Sequence, residues 1–177
     1  MIAITPLADR HLDRLLELEQ EVSIQTAFKR PPYDRAALLE LLEEADPDRA
    51  CFAIEEAVDG QVAARVIGWL ELRAVRVSGF ACGSFEIYLD PACQGRGVGR
   101  EVVAQLPAMV RARFGLDVVL IGVFEDNKAA LRLYERLGYV EVDRQWHYPE
   151  RGDRQRWLML SNKPERFVRR RVGFGQP

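Results

Sequence analysis

Between Phe85 and Arg100 the chain reads FEIYLDPACQGRGVGR: a strand-like run, the turn Asp90-Pro91, then glycines at alternate positions, Gly95, Gly97 and Gly99. Glycine reaches backbone angles closed to other residues and holds side chains away, so successive N–H groups can point into one concavity. A helical pattern starts directly behind the loop. The concavity therefore lies at a helix N-terminus, where roughly half a positive charge and unpaired amides favour a phosphate. Arg96 and Arg100 add mobile positive charge. Two common phosphate motifs do not fit. A Walker loop needs Gly-Lys-Ser/Thr, and GxGxxG begun at Gly95 needs glycine where Arg100 stands. The spacing is Gln94-x-x-Gly97-x-Gly99, which on its own is equally a glycine-rich turn with no ligand.

A second segment, Asn127 through Tyr134 to Gly138-Tyr139, follows the next strand-like run. Seven residues turn a helix by about 700°, so Asn127 and Tyr134 share nearly one face, two turns apart. Ala130 between them leaves room for a ligand, and Leu133 and Leu137 form a neighbouring stripe that can be buried. Alone, such a tyrosine is usually core; joined to the upstream loop, the pair is specific.

With these two blocks the chain resembles the GNAT superfamily of N-acetyltransferases, over roughly Val66 to Leu160, and is similar to the branch holding ribosomal-protein N-terminal and spermidine acetyltransferases. The resemblance implies a mixed, mostly antiparallel, splayed α/β sheet of six to seven strands flanked by about four helices. It also implies acetyl-CoA as co-substrate, with no metal. Ile87, Tyr88 and Leu89 would offer backbone groups to the pantetheine arm, and the Gln94, Gly95, Arg96, Gly97, Val98, Gly99, Arg100 loop would hold the pyrophosphate on its amides. Asn127 would hydrogen-bond the cofactor or its ordered water, and Tyr134 would protonate the departing thiolate. A primary amine, on a small molecule or a peptide, would attack the thioester directly in a ternary complex. A non-catalytic acyl-CoA-binding regulatory module is the alternative. No covalent nucleophile is required, although Cys93 sits beside the loop.

The general base is less determined. The positions that are acidic in some relatives are Gly122, five residues before Asn127, and Gly83. Glu86 is the nearest acid on its strand and Glu125 follows the next one; Glu86 as base stands beside a structural carboxylate or proton removal through water. The acceptor site would be built by the N-terminal helices, the loop from Ala27 to Tyr33 and the final hairpin, with Phe28, Tyr33, Trp69, Trp146, His147 and Tyr148 available to line it.

The elements that must hold these groups follow from periodicity. Ile2 and Ile4 mark a first strand, and Leu12, Leu15, Leu16, Leu18 and Val22 a helix from His11 to Val22. Pro31-Pro32 breaks the chain before a second helix, Ala36 to Ala45. Strands follow at Cys51 to Val58 and Val62 to Val77, joined by the hairpin signal Asp59-Gly60, and at Phe80 to Leu89. The helix Gly97 to Phe114 contains Pro107, which predicts a kink beyond the phosphate-binding turns. A buried strand, Asp117 to Phe124, a helix, Asn127 to Leu137, and an antiparallel pair, Tyr139 to Trp146 and Arg156 to Leu160, complete the pattern.

At 177 residues the chain suits one domain, 1–162, followed by a basic tail, 163–177. The tail is read as solvated or loosely docked, with contact to a partner subunit or an acidic substrate as the other reading, and a homodimer is left open. Composition is that of a folded protein, 48% hydrophobic and 29% charged. A net charge of −2 argues against bulk binding of nucleic acid or an anionic membrane. Three scattered cysteines (Cys51, Cys82 and Cys93) and an opening interrupted by Asp9, Arg10 and His11 place the expectation in the reducing cytoplasm.

Overall fold

A computed structural model describes residues 1–43, 46–57, 64–77, 79–148, 150 and 152–167. The branched and aromatic runs pair as expected. Strands β1 (Ile2–Pro6), β2 (Arg49–Glu56), β3 (Arg65–Val77) and β4 (Phe80–Leu89) form an antiparallel sheet in that order. A second antiparallel sheet, ordered β5-β7-β6, joins β5 (Leu120–Phe124), β6 (Val140–His147) and β7 (Gln155–Ser161). This is the mixed, mostly antiparallel α/β architecture that the resemblance implies, with seven strands among the described residues.

The two sheets meet at one point. Strands β4 and β5 run parallel and meet at a single bridge, Gly83 to Val119, where the Gly83 N–H donates to the Val118 carbonyl at 2.8 Å. Helix α4 (Val98–Phe114) presses on this junction so closely that a Cβ on Gly83 would lie 2.3 Å from Val110 Cγ1. No ladder joins the strands beyond the bridge, so β4 keeps an open edge toward its C-terminal end.

One face of the sheet is covered by α4, whose Val98, Val102, Val103, Leu106 and Val110 recur at helical spacing and pack on Leu70, Leu72 and Phe85. The helix continues through Pro107 to Phe114, and its first turn closes with the Glu101 N–H donating to the Gly97 carbonyl at 3.1 Å. Against the other face lie α1 (Leu12–Glu19), α2 (Val22–Phe28) and α3 (Arg35–Glu43), with Leu12, Leu15, Leu18 and Leu38 over Trp69 and Tyr88.

The helix expected from His11 to Val22 is two helices, which with α5 (Lys128–Arg136) makes five among the described residues where about four were expected. Glu21 is extended (φ −66°, ψ 123°) and starts α2, while Val22 is exposed. The break lets buried Glu19 accept both Arg30 guanidinium nitrogens and the Tyr33 N–H from the returning chain. The Asp59-Gly60 hairpin, the end of the second predicted helix and residues 168–177 of the tail lie outside the described residues. The start of the tail is docked: Phe167 packs edge-on against Phe80, with ring centroids 5.0 Å apart.

Candidate active site

The strand-to-helix connection starts with a fixed corner. Asp90 Oδ1 accepts the Ala92 N–H at 2.9 Å, and its Oδ2 takes Arg14 Nη2 at 2.6 Å. Gly95 and Gly97 then adopt positive φ, 73° and 87°, with nothing within 4 Å of where a Cβ would stand. Their glycine identity is a backbone requirement, and the space above them is open. Gly99 differs: a Cβ there would meet Leu133 Cδ2 at 3.3 Å, because the first turn of α4 packs on α5. The amides of Val98, Gly99 and Arg100 occupy the first helical turn, where no intrahelical acceptor exists. Val98 turns its side chain into the core, while Gln94, Arg96 and Arg100 are exposed. Arg96 is less mobile than its position suggests. It is paired with Glu56 on β2, which holds the Glu56 carboxyl below its usual range, and lies 3.5 Å from Cys93 Sγ.

Where β4 and β5 diverge, a cleft of about 310 Å³ opens. Phe85, Glu86 and Ile87 line it from β4, residues Ile121 to Phe124 from β5, and Asn127, Ala130 and Tyr134 from α5. The predicted helix face is thus turned into the cleft, one edge of which is the open strand. Asn127 Oδ1 caps its helix by accepting the Ala130 N–H at 3.2 Å, which leaves the amide Nδ2 as its donor group. Tyr134 is 5% exposed and stands edge-on to Phe85 at 5.8 Å. Burial, with Tyr139 adding a smaller effect, pushes its phenol above the ordinary tyrosine value, so it keeps its proton throughout the physiological range. Tyr88, the middle of the three expected strand residues, turns its ring to the opposite face and stacks on Trp69 at 5.5 Å; its backbone faces β3, as that of Asp90 does toward Ile67, so the open edge is served by the backbones of Ile87 and Leu89.

Of the acids considered, Glu86 alone lines the cleft. Solvent reaches it, yet the enclosing walls and then Glu71 raise its carboxyl above the usual range, against the opposing pull of Arg30 and Arg73. Glu125 is drawn aside to Arg144 at 3.5 Å. The two glycines at the alternative positions are sterically required. Val110 excludes a side chain at Gly83, and a Cβ on Gly122 would lie 2.0 Å from the Trp157 indole. Trp157 fills the space that an acid at position 122 would need.

Phe28 and His147 line the cleft as expected, but Trp69 is fully buried, Tyr33 packs on it, and exposed Trp146 and Tyr148 stack with Arg154 outside the cleft. Sequence reasoning missed Trp157, which stacks with Phe124 and touches His147 at 4.6 Å. It also missed Lys29, a left-handed residue (φ 54°) whose buried Nζ reaches Asp126 at 2.6 Å, bonds Gln155 and lies over Phe124. Neither was signalled: Lys29 meets partners more than 90 residues away, and Trp157 reaches Gly122 and Phe124 across a strand pairing that no local spacing marks.

Known proteins share the family and the fold of this chain. Residues 12–139 match the Acetyltransferase (GNAT) family. A mycothiol acetyltransferase from Mycobacteroides abscessus is 47% identical over 60 residues, which is 32% of this chain and 20% of that protein. The N-alpha-acetyltransferase RimI of Mycobacterium tuberculosis is 36% identical over 87 residues, covering 49% of this chain and 47% of that protein. The chain therefore matches only part of the length of these curated relatives. In structure, the spermidine N-acetyltransferase of Vibrio cholerae, solved with CoA and spermine, superposes with a TM-score of 0.76 at 22% identity, over 90% of this chain and 94% of that one. At that identity the likeness shows the fold.

Proposed function

Because the chain belongs to the GNAT family of acetyltransferases, we infer that it moves an acetyl group from acetyl-CoA to a primary amine by direct attack in a ternary complex. The observation that supports this reading is a cleft lined by Phe85 to Ile87 of the open β4 edge and by Asn127 and Tyr134 of α5, with the glycine loop heading α4 outside its lining but packed on α5 through Gly99 and Leu133.

The chain's residues fit the co-substrate. The amides of Gly95 to Arg100 suit a pyrophosphate, and the backbone of Ile87 and Leu89 suits the amides of a pantetheine arm laid along the edge like an added strand. The acceptor enters from the side of Phe28, His147 and Trp157. The cations on this side are already neutralised, Lys29 by Asp126 and Arg30 by Glu19, whereas Glu86 and Glu150 line the cleft as acids. That balance suits an amine arriving as an ammonium ion. Glu86, made more basic by its surroundings, takes a proton from it. The neutral nitrogen then forms a C–N bond to the thioester carbonyl carbon, the C–S bond breaks as the Tyr134 hydroxyl gives its proton to the leaving sulfur, and the second proton shed by the acylated nitrogen returns through solvent to the Tyr134 oxygen. The setting is the cytosol, where Cys51, Cys82 and Cys93 persist as the free thiols seen here.

Calorimetry with acetyl-CoA, followed by an amine panel read by thiol release, tests the reading. Micromolar binding and turnover on at least one amine are expected; absence of binding at millimolar acetyl-CoA would end it.

A further inference from the structure

Glu86 has a second carboxylate directly across the sheet. On the β3–β4 ladder the residue opposite Glu86 is Glu71, and on the β2–β3 ladder Glu71 is opposite Cys51. Directly opposed residues of an antiparallel pair hold their Cβ atoms about 5 Å apart. Glu71 is 1% exposed. Its oxygens are both engaged: Arg73 Nε donates to Oε1, and the Cys51 thiol lies 3.9 Å from Oε2. A carboxylate accepts in both contacts. The Cys51 thiol, pushed up to about 12 by burial and by Glu71 itself, keeps the proton it points there.

Stability gives no reason for this arrangement. Like charges directly opposed on a sheet are destabilising, and a buried ion pair is often replaced by packed apolar residues without loss. The neighbours Trp69, Tyr88 and Leu38 already form an apolar cluster against which such a residue could pack. What the arrangement does supply is a negative charge fixed behind the cleft floor, with Glu86 between it and the acceptor.

The other charged groups around Glu86 are held in place. From β3, Arg73 is tied to Glu71; from the chain after α2, Arg30 is gripped by both oxygens of Glu19, at 3.0 and 3.1 Å; and Tyr33 lies under the Arg30 guanidinium at 3.9 Å. Arg30 and Arg73 favour the charged form of Glu86, while Glu71 and Glu19 oppose it, Glu71 the more strongly.

We propose that Glu71 is a positioning residue of the acetyl-transfer reaction, acting through Glu86: its fixed charge sets the proton occupancy of the carboxylate that accepts the amine proton. The proposal rests on Glu86 as the base. No bond to Glu71 forms or breaks; the proton passes from the ammonium nitrogen to Glu86 and then to the solvent that reaches it.

The test follows the Glu86 side-chain carboxyl by ¹³C NMR titration, alongside the pH dependence of kcat/KM, in the full chain. In Glu71→Gln the Glu86 titration and the acid limb of kcat/KM should both move down by about one pH unit, the low end for a like charge at this range. A Glu86 titration that does not move in Glu71→Gln overturns the proposal. Glu86→Gln separates the two ideas. If it abolishes the acid limb while Glu71→Gln moves nothing, only the role of Glu71 fails. If it keeps the limb and full kcat/KM, Glu86 is not the base and both readings fall, whatever the coupling. Should Glu71→Gln not fold, Glu71→Met, uncharged and able to pack on the same apolar cluster, carries the test, and the Glu86 titration must again move down. An unmoved Glu86 carboxyl again overturns the proposal.

Discussion

A phenol 5% exposed at a cleft, with its proton held well past neutrality, is suited to donating that proton and poorly suited to acting as a base. Tyr134→Phe keeps the ring on Phe85 and removes only the hydroxyl. Steady-state assays should show kcat reduced about 10²- to 10⁴-fold with acetyl-CoA affinity nearly unchanged. Wild-type kcat across pH 6 to 9 would remove Tyr134 from the chemistry. Gly122 belongs to the same scale. A Cβ there would stand 2.0 Å from the Trp157 indole, so Gly122→Val must displace Trp157 from the cleft wall and weaken acceptor binding, read as a raised KM for the amine. In the Trp157→Ala background the same substitution should have little further effect. The sequence marks position 122 as one lacking an acid. The reason, an indole delivered by a strand 35 residues later, was not legible because nothing local couples the two.

At the scale of elements, the proposed phosphate site is a property of how α4 begins. Gly97→Asp puts bulk and charge at the head of the helix, in a left-handed conformation (φ 87°) that disfavours side chains, and calorimetry should find coenzyme A binding abolished. Arg96→Ala removes an exposed charge already paired with Glu56, so binding should weaken by less than about threefold. Equal losses from the two changes would contradict a backbone cradle. The loop, the α5 face and every strand were legible because each depends on local spacing: glycines at alternate positions, Asn127 and Tyr134 seven apart, apolar alternation. The break at Glu21 was not. It depends on Glu19 facing inward to meet Arg30, a contact made by a returning chain, and the leucine stripe runs past it unaltered. The splay was likewise known only by resemblance; the strands meet at the one bridge at Gly83, against which α4 is seated. Gly83→Ala should therefore destabilise the fold by about 1–3 kcal/mol in urea unfolding, with partial relief by Val110→Ala.

Across the whole molecule, two groups with shifted titrations pull stability in opposite directions as pH changes. His11 is fully buried; its Nδ1 accepts the Ala8 N–H at 3.0 Å, so the ring's proton sits on Nε2, 3.5 Å from Glu55. Burial, and then Arg10, lowers its folded value below 6.5, against the pull of Glu55. Below 6.5 the unfolded chain then binds the extra proton first. The stabilisation is complete above that value and is lost as pH falls toward the folded one, with a slope of at most about 1.4 kcal/mol per pH unit. Glu86 has the opposite sign. Its folded value is raised above 4.5, so its contribution is complete below 4.5 and disappears as pH rises through the folded value. Where it is ionised, this carboxyl is a charge that the fold would rather neutralise, as the proposed role of a proton-accepting site at the expense of stability requires. Glu86→Gln should accordingly raise the urea midpoint at pH 7.5 while lowering turnover, and its advantage should vanish near pH 4.5. His11→Gln should instead flatten the loss of stability between pH 7.5 and 5.5. A Glu86→Gln protein no more stable than wild type at pH 7.5 would mean that the cleft solvates this carboxylate as well as water does, and would leave Glu86 without the basicity its role as base requires.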